Sequence, residues 1–196
     1  MITEKDVQEL FADFLEQIGE QSLRQKVVST WVEACEVGGW SSLESLREMP
    51  FTLLTETHGI DFVTHTKTVT AGAIALAKTQ REHCPELPYK IDDDVLVAGG
   101  LLHDVGKMLE FERYSADGEQ GFRKSHAGRC ARHPISGAIL AAKHGLPQEV
   151  VNVIACHASE GNGRPQRVET VLVHQADFAA FNPLVMINKG SLIVDG

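Results

Sequence analysis

The strongest constraint on how this chain can fold is an uncharged stretch, VLVAGGLL (95–102), that ends in the adjacent pair His103-Asp104. A continuous apolar run of this length is typical of a helix that is buried on all sides. Removing an ionisable pair from water is costly unless an opposite charge or a metal ion compensates it. The sequence therefore predicts a buried helix that delivers an imidazole and a carboxylate to a compensated site.

Length and composition limit the classes of protein to which the chain can belong. Its 196 residues, 43% of them hydrophobic, are sufficient for one domain with a sizeable core. The formal net charge of −9 argues against a nucleic-acid polymer as partner. The polar, acidic start is unlike a secretory signal, and no apolar run is long enough for a membrane span. We therefore expect a cytoplasmic protein without a membrane partner.

Apolar residues recur at helical spacing along nearly the whole chain, which predicts an all-α fold. Thr3, Asp61 and Asp92 each precede such a segment and are expected to cap its N-terminus. The stretch 109–132 lacks this periodicity, and we predict that it is irregular.

The same patterns divide the chain into three segments. Residues 1–50 form a helical segment packed on the core, 51–182 form the main domain, and 183–196 form a C-terminal tail. In the tail, the apolar stretches 184–187 and 191–194 flank Asn188-Lys189-Gly190, which is typical of a short β-hairpin. An exposed apolar hairpin would need a partner, so we expect the tail to pack on its own domain or to join two copies in a homodimer.

Four histidines and two aspartates fall at the ends or on the core faces of successive predicted helices. They are His65, His103, Asp104, His133, His157 and Asp177. Helices of a bundle can direct such side chains to one place. Four imidazoles and two carboxylates exceed what one tetrahedral ion needs, and they suit two ions that share a bridging carboxylate. Fe, Mn, Zn and Ni accept these ligands, and of these we expect iron first.

Four ordered motifs make this pattern specific, namely LLHDVGK (101–107), RHPISGAIL (132–140), VIACHASEG (153–161) and VLVHQADFAA (171–180). Their order on a helical chain resembles the HD superfamily of metal-dependent phosphohydrolases over roughly residues 60–181. The resemblance implies an HD-domain helical bundle, which would be the 51–182 segment. It assigns one metal ion to His65, His103, Asp104 and Asp177. It assigns a second ion to His133 and His157, with Asp104 as the bridge between the two.

The resemblance also implies an enzymatic reaction, the hydrolysis of a phosphate ester in a nucleotide or a small phosphorylated metabolite. Hydroxide produced at the dinuclear centre would attack the phosphate, with Asp104 bridging and orienting the centre. Lys107 corresponds to a lysine that faces the substrate in several branches of the superfamily, where it would neutralise charge on the phosphoryl oxygens. Asp104 and Lys107 are therefore the candidate catalytic residues.

Two other functions stay open at this point. The same ligand set resembles that of myo-inositol oxygenase and of related phosphonate-cleaving di-iron oxygenases, which use a mixed-valent iron pair. A degenerate HD domain would instead bind a nucleotide or a partner protein in signalling without catalysis. Oxygen consumption would distinguish the first alternative, and failure to bind metal would favour the second.

Within the superfamily, HDVGK (103–107) and the loop GNGRP (161–165) are similar to the HD-GYP cyclic di-GMP phosphodiesterases. Arg164 stands where their loop has Tyr, and Ala158 stands where they have a second His. These departures argue against a third metal ion and against cyclic di-GMP as the substrate.

A locally basic segment, 121–133, precedes His133 in an otherwise acidic protein. It contains Arg123, Lys124, Arg129 and Arg132, and guanidinium groups are well suited to binding phosphate. We predict that Arg129 and Arg132, ahead of Arg123, bind substrate together with Lys107. A solvated surface loop is the alternative, because runs of charge usually lie at the surface.

Overall fold

Helices account for most of residues 1–116 and 119–194, the part of the chain that the computed structural model describes. They are α1 Glu4–Leu10, α2 Ala12–Leu15, α3 Gln21–Gly38, α4 Leu43–Glu48, α5 Phe62–His83, α6 Asp93–Leu102, α7 Lys107–Glu110, α8 His126–Cys130, α9 His133–Lys143, α10 Gln148–Cys156 and α11 Val168–Asn188. Two antiparallel strands, β1 Phe111–Ala116 and β2 Glu119–Lys124, form a hairpin between α7 and α8. The all-α prediction is confirmed as the main architecture.

The central element is α6, in which every residue of 95–102 is buried. It packs against α3, α5, α10 and α11. The Asp92 carboxylate caps its start by accepting a hydrogen bond from the Val95 amide at 3.1 Å. The predicted buried helix ahead of His103-Asp104 is therefore confirmed.

The end of α6 is buried as well, so its last carbonyl oxygens need donors from within the protein. The Trp31 indole, which comes from α3, donates to the Leu101 carbonyl at 3.0 Å. The Nδ1 atom of His103 donates to the Gly100 carbonyl at 2.7 Å. These bonds stabilise the helix end and orient the His103 ring for the site beyond it.

The N-terminal segment packs on the central helices through α3. Besides Trp31, the Trp40 indole donates to the Met108 carbonyl at 2.8 Å. Glu33, also on α3, contacts the end of α9. Its carboxylate pairs with the ammonium of Lys143 and lies 2.8 Å from Nε2 of His144. The division of the chain at residues 50 and 182 stays a prediction.

The prediction of an irregular stretch at 109–132 is wrong, because this region contains the β-hairpin and α8. Alternating aromatic and charged residues supply the cross-strand pairs, such as Arg113 opposite Phe122. The Phe122 ring stacks on Trp40 at 6.1 Å, and the Arg113 guanidinium lies over both rings. The strands therefore depend on a contact with the distant N-terminal segment, which local periodicity does not reveal.

The predicted C-terminal β-hairpin is also wrong, because α11 continues through Pro183 to Asn188. Phe181 and Leu184 pack against the core, and this burial favours continued helix. Gly190, with a φ of 63°, ends the helix in a left-handed conformation, and the Ser191 amide donates to the Met186 carbonyl at 2.8 Å. Residues 188–190, which were predicted to form the hairpin turn, therefore end a helix. Residues 195 and 196 of the predicted tail lie outside the described residues.

This extension makes α11 long and apolar enough to cross a membrane by length and composition. The expectation that no apolar run is long enough for a membrane span assumed a helix that ends before the tail, whereas α11 continues to Asn188. In the structure, α11 packs along α5, α6 and α10 and carries Asp177 into the interior.

The ion pair between α3 and α9 yields a pH-dependent prediction. A hydrogen bond from Lys143 lowers the pKa of Glu33 below its usual 4.5, although burial opposes this. The stabilisation is therefore complete above about pH 4.5 and is lost as pH falls through the lowered pKa. We expect Glu33→Gln to lower the free energy of unfolding by about 0.5–1 kcal/mol at pH 7.

Urea denaturation of the wild type and Glu33→Gln at a series of pH values measures this difference, which should shrink below about pH 4.5. Glu36→Gln, an exposed glutamate on the same helix, is the matched control and should change stability little at any pH. A Glu33→Gln effect that stays constant down to pH 3 would contradict the assigned role of the carboxylate.

Candidate metal centre

The structure brings the six predicted ligand residues together around the Asp104 carboxylate. Each arrives on a different part of the bundle, with His65 on α5, His103 at the end of α6, Asp104 in the following turn, His133 at the start of α9, His157 at the end of α10 and Asp177 on α11. The four imidazoles and Asp104 are buried. The convergence therefore requires five helices to be in place at once.

The two oxygens of Asp104 face two different pairs of histidines. Oδ2 lies 3.3 Å from Nε2 of His65 and 3.3 Å from Nε2 of His103. Oδ1 lies 3.2 Å from Nε2 of His133 and 3.5 Å from Nε2 of His157. The result is two candidate metal-ligand groups that share one carboxylate. Asp177 extends the first group, since its Oδ1 lies 3.1 Å from Nε2 of His65.

The hydrogen bonds of the histidine rings test whether a cation fits between these atoms. Nδ1 of His103 and Nδ1 of His157 each face a backbone carbonyl, at 2.7 and 2.8 Å, and must donate because a carbonyl only accepts. Their Nε2 atoms then carry lone pairs. Among the described residues, Nε2 of His65, His103 and His157 and Oδ1 of Asp104 are buried without a hydrogen-bond partner. Lone pairs directed at a carboxylate are unfavourable alone and suit metal coordination.

The electrostatics favour the metal-binding protonation states at Asp104 and His133. At His65 burial opposes a charge on the ring, but hydrogen bonds with Asp104 and Asp177 raise its pKa. Burial alone would raise the pKa of Asp104, but Lys107 and His103 hold this pKa well below its usual range. Burial lowers the pKa of His133 to about 4, so its ring is neutral at neutral pH. An ionised carboxylate and neutral imidazoles are the forms that coordinate metal.

Lys107 provides the positive charge closest to Asp104. Its ammonium lies 2.5 Å from Oδ2 and 5.8 Å from the centre of the Phe51 ring. The turn between the two residues also packs tightly on α9, since a Cβ atom on Gly106 would lie 2.1 Å from the His133 carbonyl oxygen. Glycine at this position lets the His103-Asp104 turn approach His133.

A cavity of about 410 Å³ opens beside the metal-ligand groups. Its lining includes Lys107, Lys124 and Arg132 as cations, His133 and Asp177 from the candidate ligands, and an apolar wall of Phe51, Leu53, Leu54, Phe111, Phe178 and Phe181. Two of the six predicted ligands thus line a space large enough for a small molecule.

The three arginines of the basic segment occupy different positions. Arg132 lines the cavity and pairs with Glu160 at 2.8 Å. The Arg123 side chain pairs with Glu112 on the exposed face of the hairpin, and Arg129 donates to the Lys124 carbonyl. Neither Arg123 nor Arg129 is among the described residues that line the cavity. Their predicted contact with substrate stays a prediction.

Sequence reasoning missed two residues that support the site. Phe51 stacks on the His65 ring with centroids 4.2 Å apart and planes at 17°. Glu110 accepts a hydrogen bond from Nδ1 of His133 at 2.9 Å. Phe51 has no local signal. The only local signal for Glu110 is its spacing, one turn after Lys107.

The shared carboxylate leads to a prediction about metal content. Asn in place of Asp104 has one oxygen instead of two and places an amide NH₂ against imidazole lone pairs. We expect Asp104→Asn to retain less than about a tenth of the wild-type metal, measured by elemental analysis of protein dialysed against Fe²⁺ or Mn²⁺. Asp61→Asn is the control, because Asn caps α5 as well as Asp does. Wild-type metal content in Asp104→Asn would contradict the shared-ligand geometry.

Comparison with curated proteins finds distant relatives. Dihydroneopterin 2′,3′-cyclic phosphate phosphodiesterase of Methanocaldococcus jannaschii is 27% identical over 169 residues, 84% of this chain and 65% of the relative. Ribonuclease Y of Desulforudis audaxviator and of Borreliella burgdorferi are each 34% identical over 88 residues, 45% of this chain and 14% of those relatives. The matches thus span just under two thirds of the first relative and about a seventh of the others. No solved structure matches the chain.

The sequence profile of the HD domain matches residues 62–179, well over half of the chain. This range begins one turn before His65 and ends just after Asp177, so it contains all six candidate ligands. The chain therefore belongs to the HD domain family.

Proposed function

We propose that this HD domain is a metal-dependent phosphohydrolase that acts on a small phosphate ester through a dinuclear centre. The observation that carries the proposal is the buried Asp104 carboxylate, whose two oxygens face two separate histidine pairs. One of these histidines, His133, also lines a cavity that contains Lys107, Lys124 and Arg132. A relative that is named a cyclic phosphate phosphodiesterase supports the same reaction class.

The protein residues have distinct parts in this reaction. Divalent ions held by these ligands would polarise a phosphate and lower the pKa of a bound water to near neutrality. Lys107 and Arg132 place positive charge on the cavity wall, where negative charge grows on the phosphoryl oxygens during attack. Asp104, held ionised by Lys107, orients both ligand groups at once.

The apolar part of the cavity lining indicates what else the substrate contains. Phe51, Phe178 and Phe181 lie there, and the Phe51 and Phe181 rings meet edge to face at 6.3 Å. Such a wall favours a substrate whose phosphate is attached to an apolar or aromatic group. A volume of about 410 Å³ suits a metabolite rather than a polymer, and the net charge of −9 supports the same choice.

Other expectations from the sequence accompany this proposal. We propose that the protein acts in the cytoplasm, uses iron or another of the expected divalent metals, and forms a homodimer. The exposed apolar residues Met186 and Ile187 at the end of α11 support pairing of two copies.

The test is a substrate screen on the metal-loaded protein with oxygen uptake recorded in parallel. Substrates should include aryl phosphate monoesters, nucleoside 2′,3′-cyclic phosphates and glycerol phosphate. We expect ester hydrolysis without oxygen uptake and about a tenfold preference for esters with an aromatic group. Oxygen uptake that matches product formation would instead establish an oxygenase. Tight binding without turnover would establish the non-enzymatic alternative.

A second prediction concerns Lys107. Methionine at this position keeps the length of the side chain and removes its charge, so kcat/KM should fall about 10²–10³-fold if the ammonium stabilises the phosphoryl oxygens. The metal content of Lys107→Met should be measured as well, because Lys107 pairs with Asp104. Lys78→Met, at an exposed lysine of α5, is the control. A fall in kcat/KM of less than about threefold would contradict a role in phosphate binding.

A further inference from the structure

A buried carboxylate outside the six candidate ligands, Glu110, connects the metal centre to the β-hairpin. It is the last residue of α7, is only 3% exposed and lies on the wall of the cavity. Burying a carboxylate is costly unless strong donors surround it. The donors around Glu110 show what this residue holds in place.

Both hydrogen bonds to one oxygen of Glu110 come from His133. Oε2 accepts the backbone amide of His133 at 2.7 Å and Nδ1 of its ring at 2.9 Å. Since an ionised carboxylate only accepts, Nδ1 carries the proton and the lone pair is on Nε2, the atom that faces Oδ1 of Asp104. Glu110 therefore sets both the tautomer and the direction of the His133 ring.

The other oxygen of Glu110 holds a cation at the cavity wall. Oε1 lies 2.8 Å from the ammonium of Lys124, the last residue of β2. The Lys124 side chain is 41% exposed and contributes to the cavity lining. Among the cations of the basic segment, Lys124 thus shares the cavity with Arg132.

The backbone around Glu110 is fixed by the start of α8. The Ser125 amide donates to the Glu110 carbonyl at 2.8 Å. A Cβ atom on Gly128 would lie 2.3 Å from the same carbonyl oxygen, so α8 packs directly on this residue. Hydrogen bonds from His133 and Lys124 lower the pKa of Glu110 to about 2 although burial opposes this, and the carboxylate stays charged.

We propose that Glu110 is a positioning residue that couples the His133 ligand to Lys124, and that Lys124 binds the anionic part of the substrate. The second half rests on the proposed function, whereas the first concerns metal affinity alone. Outer-shell partners of metal-binding histidines typically change metal affinity by about 10–100-fold when they are removed.

The experiment titrates metal-free protein with Mn²⁺ and measures KM and kcat separately on the best substrate of the screen. Glu110→Ala removes both functions of the carboxylate. Glu110→Gln keeps one oxygen for His133 but turns an NH₂ towards Lys124. Lys124→Met removes only the cation, and Glu112→Gln, at a surface carboxylate of the same hairpin, is the matched control.

We expect Glu110→Ala to weaken Mn²⁺ binding about 10–100-fold. Lys124→Met should leave Mn²⁺ affinity unchanged and raise KM about tenfold with little change in kcat. Glu110→Gln should resemble Lys124→Met in KM and weaken Mn²⁺ binding less than Glu110→Ala does. Glu112→Gln should behave as the wild type.

Wild-type Mn²⁺ affinity in Glu110→Ala would overturn the positioning role, and an unchanged KM in Lys124→Met would overturn the substrate contact. If Glu110→Ala does not fold, the ¹⁵N spectrum of the His133 ring in metal-free wild type decides the first half. A single Nδ1–H tautomer supports it, and a mixture of tautomers overturns it. Since neither Mn²⁺ affinity nor the spectrum depends on turnover, failure of the proposed reaction would be recognised separately.

Discussion

The rest of this structure depends on the burial of one carboxylate, that of Asp104. An ionised group in the interior is tolerated only with charges and donors close around it. Here Lys107 supplies the nearest charge, and four imidazoles surround the two oxygens. The bundle can be understood as the scaffold that brings these compensating groups from separate helices to one point.

That scaffold is held by groups with no direct contact to Asp104. The Trp31 indole satisfies a carbonyl at the end of α6, and the His157 carbonyl accepts a hydrogen bond from Nδ1 of His174 at 2.6 Å. Phe51 covers the His65 ring. Each of these contacts restricts a ring or a helix end, so the site is preorganised by its surroundings rather than by the ligand residues alone.

The cavity beside the centre combines two chemistries from different parts of the chain. Its cations come from the start of α7, from the hairpin and from the segment before α9. Its apolar wall comes from α11, from the loop after α4 and from the start of β1. HD domains share the metal-binding frame, and selectivity in such a family resides in the walls. The cations and aromatic rings of these walls are the observations behind the substrate proposed above.

The sequence by itself determined the helical architecture, the buried α6 and the positions of six candidate ligands, because periodicity and ordered motifs are local signals. Tertiary structure alone decided the β-hairpin, which relies on Phe122 stacking on Trp40, and the length of α11, which relies on burial of Phe181 and Leu184. It also selected Lys124 and Arg132 as the basic-segment cations that line the cavity, and it revealed Glu110 behind His133. These features depend on contacts between residues far apart in the chain, which no local pattern encodes.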